Sequence, residues 1–171
     1  MTGVRVAVTG TPGVGKTTFC AASNWSITTV IELAQKHDCV EVVDADGAAP
    51  IDIEKLVNEF GGECIPIPAD LSNLDGINNF VQEFSKNESN LDILVNNAGV
   101  AWGAPLEEFP ELGWDKVMNT NVKGVFFLTQ QLLQHLQQNT TSENPAHVIN
   151  VGSVDGIKTP VFDNFSYGPS K

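Results

Sequence analysis

Near its end the chain reads FSYGPSK, which sets Tyr167 and Lys171 four residues apart. That spacing stacks two side chains on one helix face, so a phenol and an ammonium would meet there. A free phenol, with a pKa of about 10, is a poor base at neutral pH, and an adjacent ammonium favours the phenolate. The combination suits proton transfer at a substrate oxygen. A second set of chemistry-bearing residues stands near the start. GTPGVGKT, residues 10–17, fits G-x-x-x-x-G-K-[ST] at every position. Gly10, Gly13 and Gly15 would let backbone N–H groups curl around a phosphate at a helix N-terminus. Lys16 would reach the β- and γ-phosphates, and the Thr17 hydroxyl could ligate a magnesium ion.

These groups need elements to position them. VRVAV, residues 4–8, is an apolar run rich in β-branched residues that ends in a glycine loop, so a buried strand is expected. Short helix and strand signals alternate over 16–43, and residues 50–60 carry a helical stripe closed by Gly61-Gly62. Residues 64–68 read as a strand, weakened toward an edge by Pro66 and Pro68. Helices are expected over 74–84 and 112–138, the longer one with a break near Lys123-Gly124, and strands over 91–95 and 147–151. Alternating helices and buried strands imply a parallel α/β sheet whose ligands lie at the carboxyl ends of its strands. Those ends fall at Gly10, Asp70, Asn96 and Ser153.

Composition narrows the partners. The 171 residues carry a net charge of -12, which argues against a nucleic-acid partner. No apolar run approaches the roughly 20 residues that span a bilayer, so no membrane segment is expected. The start lacks the pattern of a signal peptide. The three cysteines are scattered, without C-x-x-C or a histidine at ligand spacing. The reading is therefore reduced thiols in a cytoplasmic or nuclear protein.

Two family resemblances attach to different stretches. GTPGVGKTT followed by VIELAQKHDCVEVVDADGAAPIDIEKL resembles the nuclear adenylate kinase-like family of small P-loop kinases, over roughly 4–60. That resemblance implies ATP with magnesium. The same glycines are also similar to the TGxxxGxG loop of short-chain dehydrogenases, one residue short between the first two glycines, so a dinucleotide remains the alternative occupant. Residues 61–171 resemble the short-chain dehydrogenases/reductases in five ordered segments: GGECIPIPADLS, LDILVNNAGVAWGAPLEEF, WDKVMNTNVKGVFFLTQ, HVINVGSVDG and YGPSK. This resemblance implies NADP or NAD as cofactor and a small carbonyl or alcohol substrate. It places Asp70 and Leu71 beside the adenine, and Asn97, Ala98 and Gly99 along the cofactor cleft. Asn121, Ser153, Tyr167 and Lys171 become the catalytic positions: Tyr167 moves the proton, Lys171 supports it and holds the ribose, Ser153 binds the substrate oxygen, and Asn121 holds a relay water.

The expectation is thus a chimera within one α/β domain spanning 1–171. Its fold would be a three-layer Rossmann-like parallel sheet of about five strands in the order 3-2-1-4-5. Its leading function is carbonyl reduction or alcohol oxidation. A P-loop nucleotide binder and an inactive scaffold are the alternatives. Because the chain stops at Lys171, one turn into a helix, the Tyr167–Lys171 pair is expected to be poorly supported. Association through the 112–138 helix is expected as well.

Overall fold

The computed structural model describes residues 6–9, 36, 38, 40, 55, 64–159 and 162–171. Two compact units emerge: residues 1–14 together with 67–171, and residues 15–66. In the second unit Lys55 Nζ donates to the Asp38 carbonyl at 2.6 Å. The glycine loop with Lys16 and Thr17, and the helices and strands expected over 16–60, lie outside the described residues, apart from the isolated positions just named.

The first unit is built on three parallel strands, β1 (Val6–Thr9), β2 (Ile93–Asn96) and β3 (His147–Asn150), with β2 in the middle. The register pairs Thr9 with Asn96 and Asn96 with Asn150, so all three strands end in one row. Parallel strands require crossover connections, and helices supply them. Helix α1 (Leu74–Asn87) precedes β2. Between β2 and β3 runs a long helical stretch: α2 (Glu111–Met118), a π-helical turn (Asn119–Gly124), α3 (Val125–Gln131) and α4 (Leu133–Gln137). Helix α5 (Tyr167–Ser170) closes the chain.

Local chemistry fixes these elements. Asn73 caps α1, its side chain accepting from Gly76 N at 2.8 Å, and Asp75 and Lys86 complement the helix dipole at the two ends. Ile77 and Phe84 face inward and meet Leu91, Leu94, Leu128, Leu132 and Leu136 in one core cluster. Each fully buried side chain of this size contributes roughly 1.5–3 kcal/mol. A polar seam fastens α1 to α4: the His135 ring contacts Ser85 Oγ and the Ser89 carbonyl, each at 3.0 Å, and Leu91 N donates to the His135 carbonyl. The π-helical turn falls where the sequence suggested a break. A Cβ at Gly124 would lie 2.5 Å from the Leu71 carbonyl oxygen, so only glycine lets the helix pass so close to that backbone.

One strand expectation is corrected. Residues 64–68 form no strand, because Pro66 and Pro68 have no N–H to give a ladder. Among the described residues the sheet has three strands, and the further strands expected before residue 60 lie outside those residues. The pairing of β1 with β2 and of β2 with β3 supplies only the 1-4-5 portion of the expected 3-2-1-4-5 order. Among the described residues no helix is long and apolar enough to cross a membrane.

Candidate active site

The row of strand ends carries the first polar group. Asn96, 2% exposed, donates through Nδ2 to Asn150 Oδ1 at 2.9 Å and to Thr129 Oγ1 at 3.1 Å. The side chains tie β2 to β3 and to α3 just where the chain turns into Asn97-Ala98-Gly99. Past that turn, Val100 meets Asn121. Asn121 Oδ1 accepts from Val100 N, and Nδ2 donates to the Val100 carbonyl, both at 2.9 Å. The Val100 N–H fixes which way the amide faces, so its second Nδ2 hydrogen is free for Ser170 Oγ, at 2.8 Å. The π-helical turn widens the helix at this residue and leaves Asn121 buried, a feature that recurs at functional sites.

The second group gathers at the end of β3. Ser153 caps a 3₁₀ turn (Val154–Gly156), its Oγ accepting from Asp155 N at 3.2 Å. As an acceptor in that bond the hydroxyl retains its own hydrogen for another partner. Helix α5 packs on the turn so tightly that a Cβ at Gly156 would come within 2.7 Å of the Lys171 carbonyl carbon. Lys171 Nζ donates to the Val151 carbonyl at 3.2 Å. Burial pushes the Lys171 ammonium below its ordinary pKa of 10.5.

Gly99 joins the two groups. A Cβ there would sit 2.9 Å from Lys171 Nζ and 3.7 Å from Asn121 Oδ1. Gly99, Asn121 and Lys171, chosen from three separate motifs, therefore converge at one point. Tyr167, half-buried, opens α5 next to the Ser153 turn. Beside this point lies a cleft of about 440 Å³ lined by Asp70, Leu71, Ala98 and Gly99, together with Ser72, Val100, Lys116 and Thr120. Four of the expected cofactor positions thus line one cleft, and Asn97 adjoins them in the chain. Gly10, Gly13, Gly15, Lys16 and Thr17 lie outside the described residues, and among the described residues no cluster of side chains could hold a metal.

One expectation changes. The Tyr167–Lys171 pair is not poorly supported: the lysine is held by the Val151 carbonyl and the α5 turn by Ser170 and Asn121. Asn121 has both amide hydrogens committed to protein partners, the Val100 carbonyl and Ser170 Oγ. Asp70 lines the cleft with its carboxylate engaged by its chain neighbours. Its Oδ1 accepts from Ser72 N at 3.0 Å and Ser72 Oγ at 2.6 Å, and its Oδ2 from Asn73 Nδ2 at 2.7 Å. The Ser72 hydroxyl and then the Ser72 N–H, with a lesser contribution from the Asn73 amide, hold its carboxyl below the usual 3.8 against the opposing effect of desolvation. Sequence reasoning also missed Ser170, Asn150 and Lys116. Ser170 stood inside the quoted YGPSK, but its spacing carried no signal of a partner 49 residues away.

Comparison with known proteins bears directly on these groups. The family model for short chain dehydrogenase matches residues 21–171. A rhamnolipid-biosynthesis 3-oxoacyl-[acyl-carrier-protein] reductase from Pseudomonas aeruginosa is 51% identical over 110 residues, covering 64% of this chain and 43% of that protein. The 3-oxoacyl-[acyl-carrier-protein] reductase FabG from Thermotoga maritima is 30% identical over 137 residues, 80% of this chain and 54% of its own. The solved Pseudomonas aeruginosa RhlG/NADP active-site complex superposes with a TM-score of 0.63 at 44% identity, covering 75% of this chain and 49% of that one. The chain spans about half the length of the curated relatives it matches. Because the match begins at residue 21, most of the stretch read as kinase-like falls within it, and the comparisons give a chimera, an ATP-binding P-loop or a nuclear protein no support. With a single family model running from residue 21 to Lys171, the chain belongs to the short-chain dehydrogenase family.

Proposed function

We propose that this chain carries the nucleotide cleft and the proton-transfer residues of a nicotinamide-dependent oxidoreductase that reduces a carbonyl or oxidises the matching alcohol. The observation that carries this reading is the convergence of Gly99, Asn121 and Lys171 beside the cleft lined by Asp70 and Leu71. The fit of a dinucleotide rests on the same geometry. The space where a Gly99 side chain would stand is taken up by the Lys171 ammonium, so only glycine there lets that cation stand beside the cleft. When bound, the nicotinamide group supplies or accepts the hydride.

The protein's own residues do the rest. Tyr167 gives its phenolic proton to the substrate oxygen during reduction and takes it back during oxidation. The Ser153 hydroxyl, accepting from Asp155 N, directs its remaining hydrogen to the same oxygen. The Lys171 ammonium, half-desolvated and held by the Val151 carbonyl, places positive charge beside the phenol and presents hydrogens to a ribose. Two relatives carry 3-oxoacyl-[acyl-carrier-protein] reductase in their names, so 3-oxoacyl thioesters are the first substrates to try, with NADPH before NADH because the RhlG complex holds NADP.

The test compares the protein with Tyr167→Phe in NADPH consumption over a panel of 3-oxoacyl thioesters and simple ketones. General acid–base groups contribute about 10²–10⁴-fold, so the variant is expected to fall by at least about 100-fold while still binding NADPH. Equal rates in the two proteins would overturn the assignment of Tyr167.

A further inference from the structure

Helix α5 is only four residues long, and a helix so short has little stability of its own. Its backbone bonding is also irregular. Lys171 N donates to the Gly168 carbonyl at 3.1 Å, a three-residue step, so the Tyr167 carbonyl lacks the four-residue partner that an α-helix would give it. The Ser170 hydroxyl takes that place, donating to the Tyr167 carbonyl at 2.7 Å. The same oxygen accepts from Asn121 Nδ2 at 2.8 Å. The direction of both bonds is fixed, because a carbonyl can only accept and an amide nitrogen can only donate. Ser170 is 9% exposed, and Asn121 is locked at its other atoms to both backbone groups of Val100. An unbroken chain of oriented bonds therefore runs from Val100, through Asn121 and Ser170, to the backbone of Tyr167.

We propose that Ser170 is a positioning residue: by bridging the Asn121 amide to the Tyr167 carbonyl, it sets the tyrosine's place relative to the Gly99–Lys171 corner. Nothing else among the described residues links the π-helical turn to α5 through a side-chain hydrogen bond. The role rests on the proposed action of Tyr167 at the substrate oxygen. Ser170 is not among the residues lining the cleft, and its side-chain bonds go to the Asn121 amide and the Tyr167 carbonyl.

The experiment uses the fact that Tyr167 is the sole tyrosine of the chain. Protein labelled with ¹³C in the tyrosine ring gives signals from that residue only, and the tryptophan indole signals report the remainder. In Ser170→Ala the tyrosine ring signals are expected to shift or split while the indole signals stay in place. In turnover, kcat is expected to fall about tenfold or more, since small misplacements of a reacting group are costly, with the KM for the nicotinamide nucleotide unchanged. Unmoved tyrosine signals in Ser170→Ala would overturn the proposal, as would a shift of tyrosine and indole signals together, the mark of a general packing defect. If Ser170→Ala does not fold, Ser170→Cys, which keeps the volume but weakens the donor, is read the same way. Absence of turnover in the unaltered protein counts against the proposed function, and the tyrosine signals still decide the role of Ser170.

Discussion

Lys171 shows how one residue's surroundings set a measurable property. Its ammonium leaves water to reach the Val151 carbonyl close to Gly99, and desolvation lowers its pKa below 10.5. The unfolded chain therefore binds more protons than the folded one between the lowered value and 10.5. Stability rises with pH wherever the unfolded state holds the extra proton. Over that alkaline window Lys171 is expected to make unfolding harder as pH increases, until it is neutral in both states. Urea midpoints measured across the window check this. The rise attributable to Lys171 should vanish in Lys171→Met, and an identical slope in the two proteins would remove the lysine as its source. The same desolvation leaves the ammonium with few competing partners, which suits a group meant to act on a neighbouring phenol and a ribose.

At the scale of elements, capping and period were legible and long-range approach was not. The stripe over 74–84 and the alternation of strands with helices follow from local residue spacing, and α1, β2 and β3 formed where that spacing put them. The break near Lys123-Gly124 also showed, though only as a discontinuity. Its cause, the Leu71 backbone passing against Gly124, involves residues 53 positions apart and leaves no trace in either segment. For the same reason Asn121, Ser153, Tyr167 and Lys171 could be named from motif, while the bonds that hold Lys171 and Ser170 could not. The 64–68 strand failed because two prolines outweighed the β-branched residue between them. The cap of α1 is the element-scale feature most open to trial. Asn73 accepts from Gly76 N and also donates to Asp70 Oδ2, so it closes the turn that lines the cleft. Asn73→Ala is expected to cost about 1 kcal/mol, seen as a lower urea midpoint with an unchanged slope. No loss of stability would show that water replaces the cap at no expense.

For the molecule as a whole, charge and apolar surface act against each other. The helical run from Glu111 to Gln137 exposes Leu112, Trp114, Val122, Phe126 and Leu133, and β3 exposes Val148 and Ile149. Leu112 is 71% exposed and Phe126 61%. Apolar side chains gathered along one helical run form a surface that gains free energy by being covered. A net charge of -12 opposes the approach of a second copy, and salt screens that repulsion over a Debye length of about 10 Å at 0.1 M. Association is therefore expected to strengthen with salt, the reverse of a pairing held by opposite charges. Light scattering at low and high salt, over a range of protein concentrations, distinguishes the two. A weight-average mass that climbs with salt, and that falls back in a Leu112→Ser/Phe126→Ser double variant, would place the contact on this helical run. A mass equal to one chain at every salt concentration would show that the exposed apolar residues stay too dispersed to recruit a partner. A rise that persists in the double variant would move the contact to β3, which stands at the edge of the sheet among the described residues and exposes Val148 and Ile149.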